Sequence, residues 1–243
     1  MSKNFELLTQ IETEVGETVV ARGLDLSRTS SVNEPLVVRN TPTIEQEVKS
    51  LVQRVFFPSS GVPCRQMVFC GIEAENPSSS VVARTGRILA AKAREKVCLV
   101  DANRGKDGVS GIYGVPPGLE AELGGSIVEA CVPVAPRLYV LPWTPAKGRR
   151  DLPPPEELRS ALAELEQEFG YILVDAPGCL DNYDATAWAQ SAGAAILVVE
   201  AESSHRTAAS KAKQKLEQAG ARFAGTVLHN RSFPIPKALY DRL

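Results

Sequence analysis

From residue 64 onward the chain alternates short apolar runs, each closed by turn residues, with stretches long enough to form a helix. The runs cover residues 67–70, 97–100, 138–141, 171–174, 194–199 and 223–228, and read as six strands. Helical patterns fill 79–92, 155–169 and 207–219, the last closed by Gly220 in the position after the helix end. Strands this apolar must be covered on both sides, and strand-helix-strand order produces parallel pairing with helices above and below. The expected fold is therefore α/β: a three-layer α/β/α sandwich around a mostly parallel sheet. Before the alternation, Val48, Leu51, Val52 and Val55 give one apolar face to a helix over 44–57, with Thr43 and Gln46 spaced as a capping box. Residues 1–43 are polar and interrupted by Gly16, Gly23, Pro35 and Pro42, which predicts an arm preceding one domain over 44–243. Residues 102–136 are rich in Gly and Pro and read as loop, with one short helix near Leu119 to Leu123.

Charge narrows the possible partners. With 29 acidic residues against 27 basic ones, the net charge of −2 supplies no broad field for nucleic acid. The run Lys211, Lys213, Lys215 reads as the solvated face of a helix, and Arg149-Arg150 is isolated. The longest apolar run, 194–199, is far shorter than the roughly 20 residues of a membrane span. Met1-Ser2-Lys3 leads into no signal-peptide core, so a cytoplasmic chain is expected. Five scattered cysteines without a Cys-x-x-Cys pair, and His205 and His229 far apart, predict reduced thiols and no thiol or imidazole metal centre. Trp188 is assigned to packing and His205 to the surface.

In an open parallel sheet the ligand crevice lies beyond the carboxyl ends of the strands. Two such ends are aspartates, Asp101 and Asp175. A pair of this kind can hold Mg²⁺ directly or through water, and each residue alone can equally be a turn or helix cap. The first strand runs into Gly71, then 72–77, then Ser78, Ser79 and Ser80 at a helix start, which is where a phosphate-binding loop belongs. Such a loop needs glycines, whose N–H groups curl around phosphates, and a lysine that reaches the terminal phosphates. Here no lysine lies between Lys49 and Lys92, Glu73 and Glu75 repel anions, and Pro77 removes a backbone donor. Ser79 or Ser80 is expected to cap the helix, the alternative being ligation of Mg²⁺.

Together these segments resemble the bacterial tyrosine kinases and the CpsD/CapB family of capsule and exopolysaccharide biosynthesis, P-loop relatives of MinD and ParA. The resemblance spans about residues 44–243. Ser78-Ser79-Ser80 stands where the family has Lys, Ser or Thr, and Thr. Cys98-Leu99-Val100-Asp101-Ala102-Asn103 matches the acidic motif, with Asn103 in place of its second Asp, and Ile172 to Gly178 matches Walker B, followed by Asp184-Ala185. Gly225 to Arg231, with Phe233-Pro234-Ile235-Pro236 and Leu239-Tyr240, is similar to the closing strand and C-terminal signature. The resemblance implies Gly71, Ser78, Ser79, Ser80, His229 and Asn230 as nucleotide-site positions, and Asp101 and Asp175 as catalytic residues. Ser79, Asp101 and Asp175 are the implied Mg²⁺ ligands.

The departures are concentrated at that site: the loop lacks the family's lysine and inner glycines, one carboxylate is gone, and the asparagine that reads adenine in the family is replaced by His229 or displaced to Asn230. The tyrosines, 113, 139, 171, 183 and 240, are dispersed rather than clustered in a tail, and Gln46, Lys49 and Val52 replace the Glu and two Arg of ring assembly. The resemblance with these departures implies a catalytically impaired regulator or scaffold with no cofactor. Its implied partners are proteins of the polysaccharide machinery, including a membrane-embedded chain-length regulator, at the inner face of the membrane, with a homo-oligomer also open. The alternative is an atypical active kinase or ATPase using Mg-ATP, completed by a lysine such as Lys106.

Overall fold

The computed structural model describes residues 44–60, 63–73, 78–103, 108–116, 126–143, 154–201 and 204–229. The arm 1–43, Thr43, Lys106, the expected helix near 119–123, Arg149-Arg150, Asn230 and Tyr240 lie outside the described residues. Helices α1 (Ile44–Phe56), α2 (Ser78–Lys92), α3 (Val109–Ile112), α4 (Pro155–Glu166), α5 (Asp184–Ala192) and α6 (Arg206–Gln218) accompany seven strands. These are β1 (Gln66–Gly71), β2 (Val97–Asp101), β3 (Val132–Ala135), β4 (Leu138–Pro142), β5 (Tyr171–Ala176), β6 (Ala194–Glu200) and β7 (Arg222–His229). A 3₁₀ turn, Ile127–Ala130, precedes β3.

The strands form one sheet in the order β3-β4-β2-β5-β1-β6-β7, and every pair is parallel except β3 with β4. The six expected strands are all present, so the α/β expectation holds. The loop reading of 102–136 is corrected by β3, the short α3 and the 3₁₀ turn. β3 was hidden because it is an edge strand of four residues carrying Pro133, which such a position tolerates. Helix α5 carries no clear periodic signal in the sequence, since its alanines give little contrast between faces.

Alternate residues of each central strand feed opposite cores. Val68, Cys70, Cys98, Val100, Ile172, Val174, Ala195 and Leu197 pack with α4, α5 and α6. Met67, Phe69, Val97, Leu99, Leu173, Ile196 and Val198 pack with α1, α2 and α3. Period-two alternation with both faces buried is the physical content of the three layers. Gly86 lets α2 approach β2 closely, because a Cβ there would lie 2.5 Å from Leu99 Cδ2. Gly220 adopts φ +84°, the left-handed conformation expected after α6.

Trp188 of α5 is 1% exposed and stands edge-on to Trp143, just beyond β4, with ring centroids 4.9 Å apart. His205 is exposed, as its surface assignment requires. The lysine run needs a correction: Lys211 is exposed, but Lys215 folds inward and its Nζ donates to the carbonyls of Cys179 and Leu180 at 2.6 and 3.3 Å. All five cysteines are free thiols. No described helix is long and apolar enough to cross a membrane.

Candidate functional site

Asp101 and Asp175 are brought side by side by strand order. β2 and β5 are parallel neighbours whose register pairs Asp101 with Asp175, and β1 on the other side of β5 delivers its turn to the same place. The start of that turn is pinned: Cys179 N–H donates to Gly71 O and Leu180 N–H to Ile72 O, both at 3.0 Å. Gly71 thus fixes the turn after β1 against the turn after β5.

The three serines occupy the first turn of α2 itself rather than the capping position before it, which corrects the capping expectation. Their hydroxyls reach the ends of β2, β5 and β7, and Ser78 and Ser79 both act on Asp175. Ser78 Oγ donates to Asp175 Oδ1 at 2.9 Å, Ser79 Oγ accepts from Asn103 Nδ2 at 3.4 Å, and Ser80 Oγ lies 3.2 Å from His229 Nε2. Ser78 and Ser79 are buried. Gly71, Ser78, Ser79, Ser80, Asp101, Asp175 and His229 therefore converge at the carboxyl end of the sheet.

Asp175 is completely buried, and its Oδ2 has no hydrogen-bond partner. Burial pushes its carboxyl up to about 7; the Ser79 hydroxyl pulls the other way, the Asp101 charge adds to the rise, and Ser78 again opposes it. Burial likewise raises Asp101, whose Oδ2 accepts from Ser110 N–H at 2.8 Å while Oδ1 is unpartnered. Asp101 thus serves as an acceptor for the first turn of α3. His229 is held below its ordinary value by burial and by the nearby Arg84 charge, against the pull of Glu200, so its ring is neutral at pH 7. Its Nδ1 is buried without a partner.

Gly108, Ser110 and the Asn103 contact were not found in the sequence as parts of this site. A Cβ built on Gly108 would lie 2.6 Å from both oxygens of Asp101 and 2.8 Å from Asn103 O. Only glycine lets the chain lie this close over the carboxylate. Gly108→Ala is expected to displace Asp101 or the start of α3 and to cost about 1–3 kcal/mol, measured by urea unfolding. A change below about 0.3 kcal/mol would mean that the close approach is absent in solution.

Known proteins share this architecture. The chain is 30% identical over 172 residues to the tyrosine-protein kinase CpsD of Streptococcus agalactiae serotype Ia, covering 65% of this chain and 71% of that protein. It belongs to the CpsD/CapB family of bacterial tyrosine kinases. No family profile matches the sequence. Among solved structures, the chimerical protein CapA2B2 superposes with a TM-score of 0.68 at 19% identity, over 90% of this chain and 97% of that one. The MinD cell division protein of Aquifex aeolicus gives a TM-score of 0.56 at 22% identity, covering 73% and 72%. The fold of this CpsD/CapB family member is accordingly that of the MinD/ParA-like P-loop NTPases. It is thus related to bacterial tyrosine kinases of capsule and exopolysaccharide biosynthesis.

Proposed function

We propose that this CpsD/CapB family member is a catalytically impaired homologue that acts through protein contacts, as a regulator or scaffold in capsule or exopolysaccharide synthesis or export. The observation that carries the reading is the Ser78 hydroxyl on Asp175 at 2.9 Å, at the position where the family resemblance calls for a lysine. The oxygens of Ser79, Asp101 and Asp175 have the chemistry of a Mg²⁺ donor set. A triphosphate does not fit the residues beside them. No lysine or arginine occurs in the sequence between Arg65 and Arg84, Glu73 adds a negative charge, and the serine hydroxyls are already committed to the strand tips. Losing one charge-stabilising donor around a transferring phosphoryl group typically costs ~10²–10³ in rate, and here the loop lysine and the inner glycines are missing together.

The partners consistent with this reading are proteins of the polysaccharide machinery, including a membrane-embedded chain-length regulator at the inner face of the membrane. The name of the chimerical protein CapA2B2 supports looking for a CapA-type partner. A homo-oligomer is a second possible assembly; nucleic acid is not a proposed partner. The competing reading, an atypical kinase or ATPase using Mg-ATP, is favoured by one observation: Asp101 and Asp175 are both retained and adjacent.

Intact mass spectrometry after incubation with Mg-ATP separates the two. The expected spectrum shows no added phosphate. Phosphotyrosine that appears with time and is lost in Asp175→Asn would establish the active reading.

A further inference from the structure

Four of the five cysteines, dispersed in sequence, lie in neighbouring pairs in the fold. Cys70 and Cys179 form one pair, and both are fully enclosed. Cys98 and Cys131 form the other, with their Sγ atoms 3.9 Å apart. The second pair is asymmetric. Cys98 sits in the middle of β2 with no exposure, whereas Cys131 is only partly buried, on the link between the 3₁₀ turn and edge strand β3. The Cys131 thiol donates to Ile127 O at 3.6 Å.

We propose that Cys131 is an oxidation site for peroxide-class oxidants and that Cys98 is its resolving thiol, the two closing to a disulfide. In the first step the Cys131 thiolate attacks a peroxide oxygen. The O–O bond breaks, hydroxide leaves and takes up a proton as water, and Cys131 becomes a sulfenic acid. In the second step Cys98 sulfur attacks Cys131 sulfur, and the sulfenic oxygen leaves as water with the Cys98 proton. Two thiols and one hydrogen peroxide give one disulfide and two waters. Burial holds the Cys98 thiol well above its ordinary range, so Cys98 attacks only as its proton passes to the departing sulfenic oxygen.

Closing the gap to a bonded distance of about 2.05 Å requires movement, and Cys131 is placed to supply it. It flanks a four-residue edge strand whose pairing is already irregular between Pro133 and Ala135. The crosslink would join positions 33 residues apart and enclose Asp101, Asn103, Gly108 and Ser110 within one covalent loop. It would therefore clamp the acidic side of the crevice without touching a site residue directly.

The test uses the full chain, reduced and then freed of reductant. It is treated under native conditions with hydrogen peroxide, unfolded in the presence of an alkylating agent, and mapped by mass spectrometry. The expected result is a fall from five alkylatable thiols to three, with the Cys98 and Cys131 peptides joined and separated again by reductant. Cys131→Ser should keep all four of its thiols, and Cys98→Ser should leave a sulfenic acid on Cys131 that dimedone traps. Full alkylation of Cys98 and Cys131 after peroxide, a crosslink between Cys70 and Cys179 instead, or further oxidation of Cys131 without a crosslink would each overturn the assignment.

Discussion

Asp175→Asn is expected to stabilise the protein above neutral pH and to remove a stability loss that the wild type shows between about pH 4 and pH 7. The sign follows from where the proton sits. Burial raises the folded-state value from 3.8 to about 7, so across that interval the folded state holds a proton that the unfolded chain has released. Stability is greatest when Asp175 is protonated and declines as pH rises through about 7. About three decades of proton affinity correspond to a penalty on the order of 4 kcal/mol once the group is ionised. An active nucleotide site retains such a carboxylate because a cation compensates it; in this chain the compensation comes from the hydroxyls of Ser79 and Ser78 and from the Val109 backbone. Urea unfolding of both proteins at pH 5, 6, 7 and 8 measures the difference directly and cancels the opposite contribution of His229, whose folded-state value is depressed. The gap between variant and wild type should grow with pH. A wild type whose stability relative to Asp175→Asn rises with pH would show that the carboxylate is compensated in the folded protein.

The second large effect is expected at Trp188. Its side chain is 1% exposed within the core beneath α4, α5 and α6, and its edge contact with Trp143 connects that core to the tip of β4. Trp188→Ala should cost about 3–5 kcal/mol, since the surrounding elements can only partly fill the space. Trp188→Phe should recover much of that, because the aromatic edge contact survives in part. The two indoles are close enough for exciton coupling, so the far-ultraviolet circular dichroism should lose its coupled band in both variants. A loss below 1 kcal/mol in Trp188→Ala would mean that α5 is not seated as described.

The sheet could be read from the sequence because strands buried on both faces must be almost wholly apolar, and runs such as Met67 to Cys70 and Tyr171 to Val174 carry that requirement locally. β3 could not, since Val132 to Ala135 is short, contains proline and gains its identity only from pairing with β4. Asp101 and Asp175 were legible as strand tips. Their adjacency was not, because it depends on β2 and β5 being neighbours although about 70 residues separate them in sequence. The serines are legible at the right helix start, but capping by Ser79 or Ser80 is not what the fold does with them, because both lie within the first turn of α2 and their partners lie on other segments. Gly108 gave no signal at all: its constraint is a carboxylate 2.6 Å from where a Cβ would be, in a stretch already crowded with glycine. Lys215 looked like one lysine among several on a solvated face, and only the turn after β5 reveals that it reaches carbonyl oxygens.

The most direct test of the central claim is calorimetric titration of the full chain with ATP and with ADP in the presence of Mg²⁺. The account predicts no saturable heat, because the crevice offers two poorly compensated carboxylates and no lysine or arginine on the approach from β1. Stoichiometric micromolar binding of either nucleotide would contradict it.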